Sequence, residues 1–346
     1  MAPGIRQKLG AIGFDLPPFE WRLRRNWTHV RNRSESLESA PDGVGVRCLW
    51  EWTSDLHLAK VFPSTGRRLL ERALGDWPIR FADEPCSSMT VPDVSIVIGH
   101  RGRARLPHLL ATLRTIAAQK AVSCECIVVE QFEEPESRPL LPSWVRYLHT
   151  RPPETGMPYC RSWALNAGAR IAGGALLAFH DNDMLVPERY ACELWRRFSQ
   201  GFDVINLKRF IFYLDRPETG RFFERAGLDP CAKSESVVQN LEAGGSVAVG
   251  REAFFALGGF DEAFVGWGGE DNEFWERAQT RKTWPYGYLP IVHLWHDAQP
   301  RKMDRLNPGL QRYAARSALP VAQRIEELRS LEFGRPDRLS GCAASP

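Results

Sequence analysis

A chain of 346 residues, 43% hydrophobic and 25% charged, carries enough apolar side chains for a large core, so a disordered or fibrous protein is excluded. Its 45 basic and 42 acidic side chains leave a net charge of +3, which gives no mandate for a nucleic-acid partner. No run of about 18 apolar residues occurs, the N-terminus lacks a sustained apolar stretch, and the eight cysteines form no CxxC pair, so a membrane span, a secretory signal and a zinc ribbon are not expected. Reduced thiols in a cytoplasmic protein fit this pattern best.

In chain order, residues 1–90 are rich in Trp, Arg and Pro without a clear period and read as an accessory segment. Within them "WRLRRNWTHVRNR" (21–33) is a basic cluster. It is either a solvated face or a point of contact with an anionic membrane or acceptor. The stretch "STGRRLLERALGD" (64–76) predicts an amphipathic helix with Leu69, Leu70 and Leu74 on one side.

From residue 91 the pattern changes. "VSIVIG" (94–99) predicts a buried strand, and Leu106, Leu109, Leu110, Leu113 and Ile116 follow at helical spacing. "CECIVVEQ" (124–131) and "VRYLHT" (145–150) predict two more strands, with Cys124 and Cys126 as packing residues. "YCRSWALNAGARIAGG" (159–174) predicts a helix, "ALLAFHDND" (175–183) a strand, and residues from Pro187 a further helix with the proline near its first turn. "FDVINLKRF" (202–210) predicts another strand. Alternating strands and helices imply an α/β fold, a mainly parallel sheet flanked by helices, with ligands beyond the carboxyl ends of the strands.

Three polar constellations fall at strand ends. In "HDNDML" Asp181 and Asp183 are spaced i, i+2, which aims both carboxylates to one side if strand geometry persists. Adjacent carboxylates repel unless a cation joins them, and Mg²⁺ or Mn²⁺ bridging a diphosphate would resolve that. A polar turn is the plainer alternative. In "IVHLWHD" His293 and His296 stand three apart in a stretch that does not read as helix, and imidazoles with a carboxylate suit Mn²⁺ or another first-row ion. In "GWGGEDNEFWERA" (266–278) glycines deliver Glu270 and Asp271 to a helix start. A carboxylate there could take the proton of an attacking hydroxyl. The alternative is an acid-capped helix start, and a helix N-terminus is expected to lower the carboxyl pKa.

In this order the constellations resemble the GT-A glycosyltransferases of the family 2 type, over residues 91–300. "VSIVIGHRGR" resembles the first strand of that family. "IVVEQ" resembles its second strand, whose terminal acid meets the base or ribose, here Glu130, although Glu-Gln replaces the common Asp-Asp. "CRSWALNAGARIAGG" resembles the helix that brings an Arg and an Asn to the sugar nucleotide, here Arg161 and Asn166. "HDND" fits the DXD position. "AGGSVAVGREAFFALGGFDEAF" and "GWGGEDNEFW" resemble the C-terminal signature of galactosyl- and N-acetylgalactosaminyltransferases.

The resemblance implies a UDP-sugar donor held by Glu130, Arg161, Asn166, Asp181, Gly245 and Trp267. It implies Mn²⁺ or Mg²⁺ on Asp181, Asp183 and His296 or His293. GGED in place of GGEN favours inversion with Asp271 as general base, Glu270 bonding a sugar, and Asp261 next in line. Trp284 joins Trp267 as a candidate for stacking on a sugar, and Arg301 and Lys302 as candidates for the diphosphate; core packing and ordinary surface charge are the alternatives. The acceptor would be a glycan, a lipid-linked saccharide or another hydroxyl compound. The implied division is an accessory segment (1–90), a GT-A domain (91–300) and a C-terminal extension (301–346). The rival readings are a sugar nucleotidyltransferase and a non-catalytic carbohydrate-binding protein; "GHRGRARLP" lacks the glycine spacing of a P-loop.

Overall fold

The computed structural model of the chain describes residues 4–50, 52–85, 91–298 and 307–339. The apolar run at residue 94 forms β1 (Val94–His100), which is apolar on both faces because helices cover both. Ile96 and Ile98 meet Leu109 and Leu113 of α1 (Leu106–Ala117) on one face. Val97 meets Ala164 and Leu165 of α2 (Arg161–Ile171) on the other.

The strands that follow it are β2 (Cys124–Gln131), β3 (Arg146–Thr150), β4 (Leu176–His180), β5 (Met184–Leu185), β6 (Val204–Ile205), β7 (Lys208–Leu214), β8 (Ser234–Gln239), β9 (Ser246–Gly250), β10 (Thr283–Trp284) and β11 (Leu289–His293); Leu37–Ser39 and Val46–Cys48 pair as a separate two-stranded sheet before it. Seven strands make the central sheet in the order β10-β6-β9-β4-β1-β2-β3. Its β4-β1-β2-β3 portion is parallel, and β9 runs antiparallel between β4 and β6. This is the mainly parallel, helix-covered α/β sheet expected from the alternation. A second sheet joins residues 54–55, β8, β7, β11 and β5.

Three sequence expectations change. The stretch 202–210 is two strands in different sheets: the Asn206 side chain accepts the Lys208 N–H (3.3 Å), and the chain leaves the central ladder there. The helix near Pro187 starts later, as α3 (Tyr190–Ser199), because the Pro187 carbonyl is used by Tyr190 N–H (2.9 Å) in a preceding turn. The strand before the acidic pair stops at His180, so Asp181 and Asp183 lie in a turn and not in a strand.

Residues 4–85 are not a detached appendage. Trp27, Leu69 and Leu70 share a core cluster with Phe210 and Phe212 of β7, and Arg209 donates to the carbonyls of Thr28 (2.6 Å) and Val30 (2.6 Å). The helix predicted at 64–76 is present as Pro63–Asp76. At the other end, α5 (Pro308–Ser317) and α6 (Val321–Arg329) pack against α4 (Glu270–Ala278). Among the described residues no helix is long and apolar enough to cross a membrane. Cys126 is buried in the core and Cys124 packs against it; Cys86, Cys342, Arg301 and Lys302 lie outside the described residues.

Candidate active site

The site grows from the turn that ends β4. The imidazole of His180 is buried between Ser246 Oγ (2.8 Å) and the Met184 carbonyl (3.0 Å), which fixes both sides of the turn. Asp181 N–H donates to the Gly245 carbonyl (2.9 Å), and Leu294 N–H to the Asp183 carbonyl (2.9 Å). Gly245 has φ +83°, and a Cβ there would sit 2.8 Å from the Met184 methyl, so the position favours glycine. Its contribution is therefore to the turn's backbone.

With strand geometry lost, the two acids part. Asp183 turns to the end of β11, where its carboxylate lies 3.6 Å from His293 Nε2 and 3.3 Å from His296 Nε2. One ligand atom from each of these residues falls within a span of 4.8 Å. Two imidazoles and a carboxylate suit a first-row divalent ion, and three donors leave positions open for substrate oxygens. Asp181 does not join this group, which corrects the expectation of a shared metal pair.

Burial pushes the Asp183 carboxyl up, but His293, Arg105, His296 and His108 outweigh it and hold it below the ordinary aspartate range. Burial pushes the His293 imidazole down, against the pull of Asp183, and so favours the neutral form that a metal needs. His293 Nδ1 is buried without a hydrogen-bond partner, and the ring lies 4.4 Å from the Tyr213 ring. His296 Nδ1 lies between the Asp297 carbonyl (2.7 Å) and Arg105 Nη2 (3.0 Å), while Nε2 is on the Asp183 side.

Asp181 faces a different partner. Arg161, at the start of α2, donates to Asp181 Oδ1 from Nε (3.1 Å) and Nη2 (2.6 Å), and to Asp271 Oδ1 from Nη1 (2.5 Å). Glu270 Oε1 lies 3.9 Å from the same Nη1. Burial would lower the Arg161 pKa; Asp181, Asp271 and Glu270 hold it well above its ordinary value. One cation thus gathers three acids from two distant stretches of chain.

The glycine loop delivers two of those acids. Gly269 precedes α4 with φ +91°, and a Cβ there would come within 2.7 Å of the Gly309 carbonyl. Burial raises the Glu270 carboxyl, the neighbouring Asp271 charge adds to this, and Arg161 offsets only part, leaving it at about 7. Glu270 Oε2 is buried with no hydrogen-bond partner. Burial also raises Asp271, against Arg161. The expected lowering by the helix N-terminus is overturned, because dehydration and like charge exceed the helix effect. With Oδ1 on Arg161, Asp271 Oδ2 points toward Gly244, where even a Cβ would stand 3.5 Å away.

Four sequence expectations lie elsewhere. Glu130 is fully buried: it accepts from Ser137 Oγ (2.7 Å), Ser137 N–H (3.0 Å) and Tyr147 Oη (2.6 Å), so it shapes the loop after β2 and presents no face to a base or ribose. Asn166 is buried and spends its amide on the Phe260 carbonyl (2.8 Å), Glu262 (2.9 Å) and the Phe260 N–H (2.9 Å), so it positions that turn. Trp284 is a core residue with the Arg197 guanidinium 3.5 Å from its ring centroid. Asp261 is buried on Arg312 (2.7 Å) and is not free to act as a base. Trp267 remains at the surface, 38% exposed, in the loop before α4.

Two residues of the site were not singled out. Arg105 Nη1 donates to Asp183 Oδ2 (3.0 Å), and its Nη2 lies 3.0 Å from His296 Nδ1. Its signal was the series Arg101, Arg103, Arg105 just after the first strand. Lys208 is a buried lysine in an apolar strand, itself the signal. Burial pushes its pKa down to about 7 against Asp271, Glu242 and Asp181, and its ammonium donates to the Ser246 carbonyl and to that of Glu242 (3.4 Å).

Residues 95–246 match the family model described as Glycosyl transferase family 2. Residues 238–284, which include the glycine loop and α4, match the model described as N-terminal domain of galactosyltransferase. Among curated proteins no match is found. The two matched segments overlap at 238–246 and meet at the Arg161 cluster: residues 95–284 are a GT-A glycosyltransferase region of the family 2 type with a galactosyltransferase-like part.

Proposed function

We propose that this glycosyltransferase is metal-dependent and inverting, and that it moves a hexose or N-acetylhexosamine, with galactose or N-acetylgalactosamine favoured, from a UDP-sugar to an acceptor hydroxyl. The acceptor is a glycan, a lipid-linked saccharide or another hydroxyl compound of polysaccharide biosynthesis, approached with the N-terminal segment against a membrane. The observation that carries the reading is the division of Asp271: one oxygen anchored by Arg161, the other on the Gly244 side of a side chain that stays 28% exposed.

Asp183, His293 and His296 would hold Mn²⁺ or Mg²⁺ at the DXD position. A divalent ion there supplies Lewis-acid neutralisation of charge on the departing diphosphate. The chain's own residues do the rest. Arg161 keeps Asp271 oriented and favours its ionised form against burial. The acceptor hydroxyl oxygen bonds to the anomeric carbon from the face opposite the diphosphate, the carbon–oxygen bond to the diphosphate breaks, and the hydroxyl proton passes to Asp271 Oδ2. The raised Asp271 pKa makes it a better proton acceptor than an ordinary surface aspartate. Glu270 Oε2, protonated for part of the time near neutrality, is available to donate to a sugar oxygen.

A screen of nucleotide sugars with Mn²⁺, read as release of nucleoside diphosphate, tests this. Release from UDP-galactose or UDP-N-acetylgalactosamine supports it. Pyrophosphate release from a nucleoside triphosphate would make the protein a nucleotidyltransferase, and sugar binding indifferent to nucleotide and metal would make it a binding module.

A further inference from the structure

We propose that residues 5–25 form an interfacial helix that seats the enzyme on an anionic lipid bilayer. This deepens the membrane contact named above and is read without turnover, so its failure and that of the proposed reaction are distinct. Residues 5–25 are helical throughout: an α-helix (Ile5–Gly10), a π-helical turn (Ala11–Asp15) and a second α-helix (Leu16–Arg25). In an unbroken α-helix Trp21 would lie roughly 160° around from Ile5. The extra residue of a π turn removes about 100° and brings the two onto one side.

Exposure follows that register. Ile5 (78%), Leu9 (63%), Ile12 (49%) and Trp21 (58%) are open to solvent, whereas Ala11, Phe19 and Leu23 are buried against the body of the protein. The helix therefore has two apolar stripes, and only one is used within the chain. Phe14 is a further exposed apolar residue, at 66%.

Charge identifies the occupant of the free stripe. Arg6, Lys8, Arg24 and Arg25 are exposed on the same helix, and its two acids are already neutralised, Asp15 by Arg33 (2.9 Å) and Glu20 by Arg68. The Arg25 guanidinium lies 4.7 Å from the Trp21 ring centroid, at the edge of the stripe. Large apolar side chains with a tryptophan, flanked by unneutralised cations, match an interface of acyl chains beneath anionic headgroups. A protein partner would need acids in register with scattered arginines, and nothing in the segment fixes such a register. The basic cluster at 21–33 is only partly this surface, since Trp27 and Val30 are buried and Arg33 is paired.

The test is sedimentation of the full chain with phosphatidylcholine vesicles, with and without phosphatidylglycerol, beside a Leu9→Glu/Ile12→Glu variant. Binding is expected only with phosphatidylglycerol and should weaken as salt rises; the variant should lose at least about tenfold in partitioning with an unchanged thermal midpoint. Should that variant not fold, Arg24→Gln/Arg25→Gln carries the test, again with weaker binding expected. Wild-type protein left in the supernatant with anionic vesicles, or a folded variant that binds equally, would overturn the proposal. So would a stable wild-type dimer that the variant converts to monomer, since the stripe would then be a self-association face.

Discussion

Glu270 and Asp271 are adjacent in sequence, yet Arg161 bonds one and only approaches the other. Glu270 bears an electrostatic cost from burial and from the Asp271 charge. Its ordinary pKa near 4.5 rises to about 7 on folding, so between these values the folded chain holds a proton that the unfolded chain has released. Stability from this group is therefore intact below the lower value and falls as pH rises through the window. Glu270→Gln should match the wild-type thermal midpoint near the bottom of the window. Above neutrality it should exceed it by the equivalent of on the order of 2 kcal/mol, while sugar binding changes. A midpoint difference that does not grow with pH would contradict the assignment. At the metal group, Asp183→Asn or His296→Ala should weaken Mn²⁺ binding by more than about tenfold in a calorimetric titration with UDP, since even partners one step removed from a metal are worth that much. Unchanged titrations in both would remove these residues from the site. The types of these residues were legible in the sequence; their pairing was not. Nothing in "HDND" says that the strand stops at His180, and that stop sends Asp181 to Arg161 and Asp183 to the histidines.

At the scale of elements, α4 is held by its rear face. Glu273 meets Arg277 (2.7 Å) and Arg324 of α6 (3.4 Å), with all three side chains at or near complete burial. Glu273→Gln would leave the buried Arg277 guanidinium without its counter-charge, while Arg324 keeps Glu276 (2.6 Å), so a loss of about 3 kcal/mol in denaturant unfolding is expected. A loss below about 1 kcal/mol would mean that packing alone holds the helix. Elements with a strong period were readable: residues 124–131 were predicted and observed as one strand, because a strand buried on both faces is a continuous apolar run. The stretch 202–210 was misread for the same reason, since one apolar run can serve two sheets in turn. Glu130 and Asn166 were misassigned because a polar residue at a strand or helix end serves substrate or backbone equally well, and only the observed partners, Ser137, Tyr147 and Phe260, decide between them.

For the whole molecule, the α/β architecture and the convergence of three distant motifs were legible, because the order of strand ends dictates where a parallel sheet collects its polar loops. The parts beyond the motifs were not. Apart from the helix at 64–76, residues 4–85 show no clear period, since their helices and short strands pack on β7 and β8 and not on one another alone. The C-terminal helices read as an extension until their contacts with α4 are known. All of this frame bears on one carboxylate, and the most direct measurement is made on Asp271→Asn. The variant keeps the shape and a hydrogen-bond acceptor for Arg161 but cannot take the acceptor's proton. With UDP-sugar and Mn²⁺ affinities nearly unchanged, turnover should fall by about 10²–10⁴-fold, the usual worth of positioned proton transfer. Full turnover per folded molecule with only a lowered thermal midpoint would contradict the account and leave Asp271 a helix-start residue.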